Sequence, residues 1–175
     1  MAHAKTDVRT VPAPLESLVS DLYPGANLLD AYATMLPDDS RDVRLLATRL
    51  MTRNPGWIKQ LLRLRDLMVR GFGIKTSSDL LRTAAGRHDH ISFMRIYQTS
   101  GNEMVLGEDD RHLDFRLSIL IRPAAGGFAA GEEVVTTTVV HCHNLLGRAY
   151  LWLISPFHRI IAKNLLRRLH RLAAS

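Results

Sequence analysis

Apolar and polar residues alternate along "HLDFRLSILIR". Leu113, Phe115, Leu117, Ile119 and Ile121 fall on one side, and His112, Asp114, Arg116, Ser118 and Arg122 on the other. A period of two is that of a half-buried antiparallel strand. "NLLDAYATML" repeats it, with Asp30, Tyr32 and Thr34 on one face and Leu29, Ala31, Ala33 and Met35 on the other. "ISFMRIYQ" and "EMVLGE", joined by "TSGN", predict a hairpin. The Val- and Thr-rich "EVVTTTVVHCH" predicts a further strand.

The period changes to that of a helix in three places. Val43, Leu46, Ala47 and Leu50 follow i, i+3, i+4, i+7, and the preceding "PDDSRD" breaks the strand and offers caps. "NPGWIKQLLRLRDLMVRGFG" predicts a second helix, with Asn54 as N-cap, Pro55 in the first turn and Gly71 and Gly73 at its end. The third begins after Asn144, and Ser155–Pro156 repeats the cap-then-proline signal, so it is one kinked helix or two. Around it Tyr150, Ile154, Phe157, Ile161, Leu165 and Leu172 cluster in one stripe, with Arg148, Arg159, Lys163 and His170 largely opposite. "LESLVSDLY" reads as a short helix stopped by Pro24–Gly25, and residues 75–90 as loop with a short strand.

This order predicts an α+β protein: a first strand, two helices, several antiparallel strands, then a long amphipathic helix that covers the apolar face of the sheet. Residues 1–14, small, polar and proline-containing, are expected to be disordered, and residues 15–175 to form a single domain.

Charge changes the picture in one place. The net charge is +6, and no acidic residue follows Glu133, whereas Arg148, Arg159, Lys163, Arg167, Arg168 and Arg171 do. The excess therefore belongs to the last helix, which suits a solvated face or an anionic surface. One cysteine excludes an internal disulfide, the first 14 residues lack a signal-peptide core, and the longest apolar run, Ala149–Ile154, is too short to span a membrane. A cytoplasmic protein is expected.

Four stretches carry a resemblance: "DAYATMLPDD", "PGWIKQLLRLRDLMVRGFGIKT", "MVLGEDDRHLDFRLSI" and "HNLLGRAYLWLISPFHRII", together spanning roughly Asp30 to Leu172. By these the chain resembles a bacterial family, domain of unknown function 2867, within the START-like (SRPBCC) helix-grip superfamily. The resemblance implies a curved antiparallel sheet wrapped around the C-terminal helix, with a cavity between them. The superfamily includes lipid and hormone binders, polyketide cyclases and co-chaperone relatives. The resemblance brings no catalytic residues with it.

The chemistry-bearing residues are few. In "HCH", His141 and His143 share one strand face and Cys142 takes the other, so one metal cannot use all three. No HExxH, CxxC, phosphate loop or nucleotide fingerprint accompanies them, so neither metal nor cofactor is expected. Cys142 reads as a small apolar residue, and His143 as a corner residue bonded to backbone. "DDRHLD" reads as a turn followed by the polar side of a strand. Tyr150 and His158 lie on or beside the apolar stripe of the last helix. Asp30 and Tyr32 suit the same layer.

Those positions give the expected ligand site: Tyr32, Tyr150, Ile154, Phe157, His158 and His143, around a small hydrophobic or amphipathic molecule. Two alternatives stand beside a binding role. One is a cyclase- or hydrolase-like enzyme using Tyr150, His158 or His143 as acid or base. The other is a peripheral module that docks its basic helix on anionic lipid, with nucleic acid the less favoured partner.

Overall fold

The computed structural model describes residues 8–36, 41–52, 89–92, 94–124 and 131–173. The expected second helix, and most of the segment read as loop, lie outside these residues.

Among the described residues, seven strands form one antiparallel sheet: β1 (Arg9–Thr10), β2 (Leu28–Met35), β3 (His90–Ile91), β4 (Met94–Thr99), β5 (Glu103–Asp109), β6 (Leu113–Pro123) and β7 (Glu132–Cys142). Helix α1 (Val43–Thr52) follows β2, and α2 (Leu145–Ala173) ends the fold. The sheet order is β1-β2-β7-β6-β5-β4-β3. The strands from β3 to β7 are a simple meander, and β7 then returns beside β2, the first long strand of the chain.

Alternation sorts the two faces as read from the sequence. The front face gives Tyr32, Met104, Leu106, Ile119, Ile121 and Val134 to the main core, with Phe115 and Leu117 at its half-buried margin. Helix α1 adds Val43, Leu46, Ala47 and Leu50, and α2 adds Leu166 and Leu169. Asp42 caps α1, its Oδ1 accepting from the backbone N–H groups of Arg44 and Leu45 at 2.9 and 3.0 Å. Helix α2 lies against β2, β7 and α1.

The back face is covered by residues 11–26, while Val8 packs against the front-face core. Val19 packs with Val105 and Val139, and Val11 against Ala33, Leu120 and Val135. The expectation of disorder up to residue 14 therefore needs correcting from residue 8 onward. Arg9 and Thr10 pair with Ala33 and Tyr32, Val11 N–H donates to the Ala31 carbonyl, and Pro14 is buried. The expected helix at 15–23 contracts to a 3-10 turn at Ser20–Leu22.

Helix α2 is continuous through Pro156. Proline has no N–H for the carbonyl four residues earlier. One residue back, the Ser155 hydroxyl donates to the Leu151 carbonyl at 2.6 Å, keeping the adjoining turn bonded. The buried line of α2 passes through Leu151, Leu166 and Leu169, about one residue's turn from the expected stripe. Phe157, in that stripe, is 38% exposed. The cause is composition: apolar residues occur almost all round the first half of the helix, so periodicity alone fixes its orientation poorly.

The start of α2 is held tightly. Asn144 Oδ1 accepts from the Gly147 N–H at 3.0 Å, and the same side-chain amide meets His112 Nδ1, with Nδ2 at 3.1 Å and Oδ1 at 3.4 Å. The His112 carbonyl accepts from the His143 N–H at 2.9 Å and lies so close to Gly147 that any Cβ there would collide with it. His112, expected on the solvent side of its strand, is instead buried in this clasp.

Candidate functional site

The sheet under α2 has a polar floor. In antiparallel pairs, directly opposed residues share a face. Asp30 opposes Thr138 and Tyr32 opposes Thr136 across β2 and β7. The rows continue through Leu117 to Leu106 and through Ile119 to Met104 on β6 and β5. The front face is thus polar below the helix and apolar beyond it.

From α2, His158 and Arg159 meet this floor. The Arg159 Nε lies 3.5 Å from Asp30 Oδ2, an ion pair too long for a direct hydrogen bond. Asp30 Oδ2 is buried and without a hydrogen-bond partner, and so is His158 Nε2. Among the described residues only one other side-chain atom, Thr137 Oγ1 on the back face, shares that condition. The Lys163 Nζ stands 5.3 Å from the centre of the Tyr32 ring.

The electrostatics follow from burial. Burial holds the His158 imidazole below its ordinary value, against the charge of Asp30 and with that of Arg159, so the ring is neutral at neutral pH. The Tyr32 phenol is pushed up by burial first and by Asp30 second, with Arg159 opposing, so it keeps its proton. A neutral imidazole, a phenol and a carboxylate therefore converge at one seam, with hydrogen-bonding capacity left on two of them.

The remaining expected site residues are placed as follows. Tyr150 and Ile154 are half-buried on α2, two turns and one turn before His158 respectively. Phe157 is turned outward. His143 is exposed at the β7–α2 corner, its N–H bonded to the His112 carbonyl and its ring Nε2 meeting the Asp114 carboxylate Oδ2 at 3.0 Å. His141 Nε2 bonds the Leu22 carbonyl at 2.8 Å, and Cys142 lies on the opposite strand face beside Gly147. Among the described residues no group of three His, Cys, Asp or Glu side chains stands close enough to hold a metal ion.

Sequence reasoning missed four members of the seam. Thr136 and Thr138 were identifiable as one face of β7, but only the pairing of β7 with β2 puts them beside Asp30 and Tyr32. Arg159 and Lys163 were expected on a solvated face. The one-residue rotation of α2 brings them to the edge of the seam, with the Arg159 side chain still 59% exposed.

A pocket of about 570 Å³ opens on the back face, lined by Glu16, Leu18, Asn102, Glu103, Leu120 and Arg122 among others. Its charged groups are engaged within the fold. Glu103 accepts from the Ser17 and Ser118 hydroxyls at 2.5 and 2.6 Å and from the Leu18 N–H at 2.9 Å. Arg122 bridges Glu16 and the fully buried Glu133, which Arg9 also contacts. These bonds tie the N-terminal segment to the sheet.

Fold and seam together define an α+β protein with a curved antiparallel sheet, a helix laid across it and a polar patch buried between them. The chain belongs to the family described as Protein of unknown function (DUF2867), whose model matches residues 22–165. No curated protein and no solved structure matches it. Among the described residues, no helix is long and apolar enough to cross a membrane.

Proposed function

We propose that the chain is a START-like helix-grip domain that binds a small amphipathic molecule between β2, β7 and α2. The return of β7 to the side of β2, with α2 following and crossing both, supports the helix-grip reading. The observation that carries the binding role is the pair of buried polar atoms without hydrogen bonds, Asp30 Oδ2 and His158 Nε2, at the same seam. Buried polar atoms are nearly always bonded, and leaving one unbonded costs about 1–3 kcal/mol. A bound molecule with a polar head would satisfy both. Its apolar part would run toward Leu117 and Ile119, with Tyr150 and Ile154 as flanking wall. Most ligand sites have this form, an apolar surface with a few aimed polar groups. His143, held by Asp114 at the far corner, and Phe157, turned outward, stand apart from this arrangement.

One observation favours a catalytic variant of the same reading. His158 is neutral and its Nε2 has no partner, while a carboxylate lies near enough to act on its charge, which suits a general base.

Native mass spectrometry of the full chain purified from its source organism tests the binding role. The expected result is a co-purified small molecule, lost in an Asp30→Asn/His158→Leu double variant that still folds. A double variant that retains the same mass, or a parent protein that carries none and binds none from a lipid and metabolite extract, would overturn it. Chemical conversion of the released molecule on incubation would assign the catalytic variant.

A further inference from the structure

The outward face of α2 is apolar over its first four turns. Leu145 and Trp152 are 80% and 81% exposed, Ile160 is 51% exposed, and Leu153 and Phe157 are also open. At 100° per residue these side chains, with exposed Ala149 and Pro156 between them, occupy one continuous strip. Single exposed apolar residues are ordinary, but a contiguous strip marks an interaction surface.

We propose that this strip docks on an anionic lipid bilayer, with α2 lying in the plane of the headgroups. Charge complementarity selects this occupant. Arg148 borders the strip on one side, and exposed Arg167 extends the same face toward the C-terminus. No acidic residue follows Glu133, so nothing on the helix repels a negative surface. Arg159 and Lys163 are excluded from this set because they stand at the seam, beside Asp30 and Tyr32. A tryptophan and aliphatic residues rimmed by cations match an interfacial helix, whose apolar side enters the acyl boundary while its cations meet the headgroups. Nucleic acid would use the cations but leave the strip in water. A second copy of the chain would bring the same cations against each other.

The strip and the seam occupy different sides of α2, so the docking surface stands independently of the ligand site.

The test is sedimentation of the full chain with vesicles of mixed phosphatidylglycerol and phosphatidylcholine, and with phosphatidylcholine alone, at low and high salt. Binding is expected only with the anionic vesicles and weakens as salt rises. Trp152→Ser/Ile160→Ser is expected to bind roughly tenfold or more weakly, with an unchanged melting temperature because both residues are exposed. In a Trp57→Phe background the remaining Trp152 should shift its emission to shorter wavelength on binding and be quenched by brominated lipid. Absence of binding at low salt, or a double serine variant that binds like the parent, would overturn the proposal. So would a dimer in light scattering that the serine substitutions dissociate, since the strip would then be a contact between copies.

Discussion

Asp30 and Arg159 meet across the seam between the first long strand and the last helix, with Arg159 Nε 3.5 Å from Asp30 Oδ2. The pair joins residues from opposite ends of the fold and sits between two other ionisable groups, Tyr32 and His158. Its energetic weight is small and its electrostatic influence is not.

Asp30→Asn should therefore change stability by no more than about 1 kcal/mol, because the arginine is largely solvated. It should also lower the titration midpoint of His158 further, since the carboxylate is the one group opposing the downward shift. Histidine signals followed by NMR through an acid titration check both parts. An unmoved His158 midpoint would separate the two residues.

The depressed His158 pKa gives stability a pH dependence. The unfolded chain binds this proton near the ordinary value of 6.5, and the folded protein only at lower pH. Stability is full above the unfolded value and falls as pH drops through it toward the folded value. Urea unfolding at about pH 7.5 and about pH 5.5 should show a larger loss for the parent than for His158→Gln, which lacks the titrating group.

Gly147→Ala should cost about 1–3 kcal/mol or more, because its Cβ must displace the His112 carbonyl and with it the clasp that starts α2. An unchanged melting temperature would remove the clasp from the account.

Glu103→Ala should cost roughly 3 kcal/mol or more, since it strips acceptors from two buried hydroxyls and the Leu18 N–H. Hydrogen exchange at Leu18 should accelerate with it, because that bond anchors the N-terminal segment to the sheet. On the other face, Ile119→Ala should cost about 2–5 kcal/mol at a fully buried site. Phe115→Ala, at a half-buried one, should fall below the figure of about 3–5 kcal/mol for a buried phenylalanine.

The strands were legible because alternation is a local property. Phe115, Leu117, Ile119 and Ile121 needed no partner to declare their face, and Asn144 and Asp42 declared caps through the residues beside them. The seam was legible in part. Asp30 and Tyr32 were placed on one face and matched to His158, but the rotation of α2 was not accessible in a segment apolar on most sides. Leu151, Leu166 and Leu169 took the core, Phe157 and Trp152 were left outside, and Arg159 and Lys163 came to the strand. The strand at Arg9–Thr10 was hidden for a related reason: its residues pair by backbone, and their side chains carry no pattern.

The neighbour relation of β2 and β7 also bears on how the protein is made. Leu28 finds its partner in Val140, more than a hundred residues later. During synthesis the first long strand leaves the ribosome well before the strand that completes it. Contacts this distant in sequence form late and slowly. Until then one edge of β2 has no sheet neighbour, and the polar row from Asp30 to Thr34 has no helix above it. An interrupted chain ending before residue 132 would expose that edge permanently, so truncated products are expected to depend on chaperones or degradation.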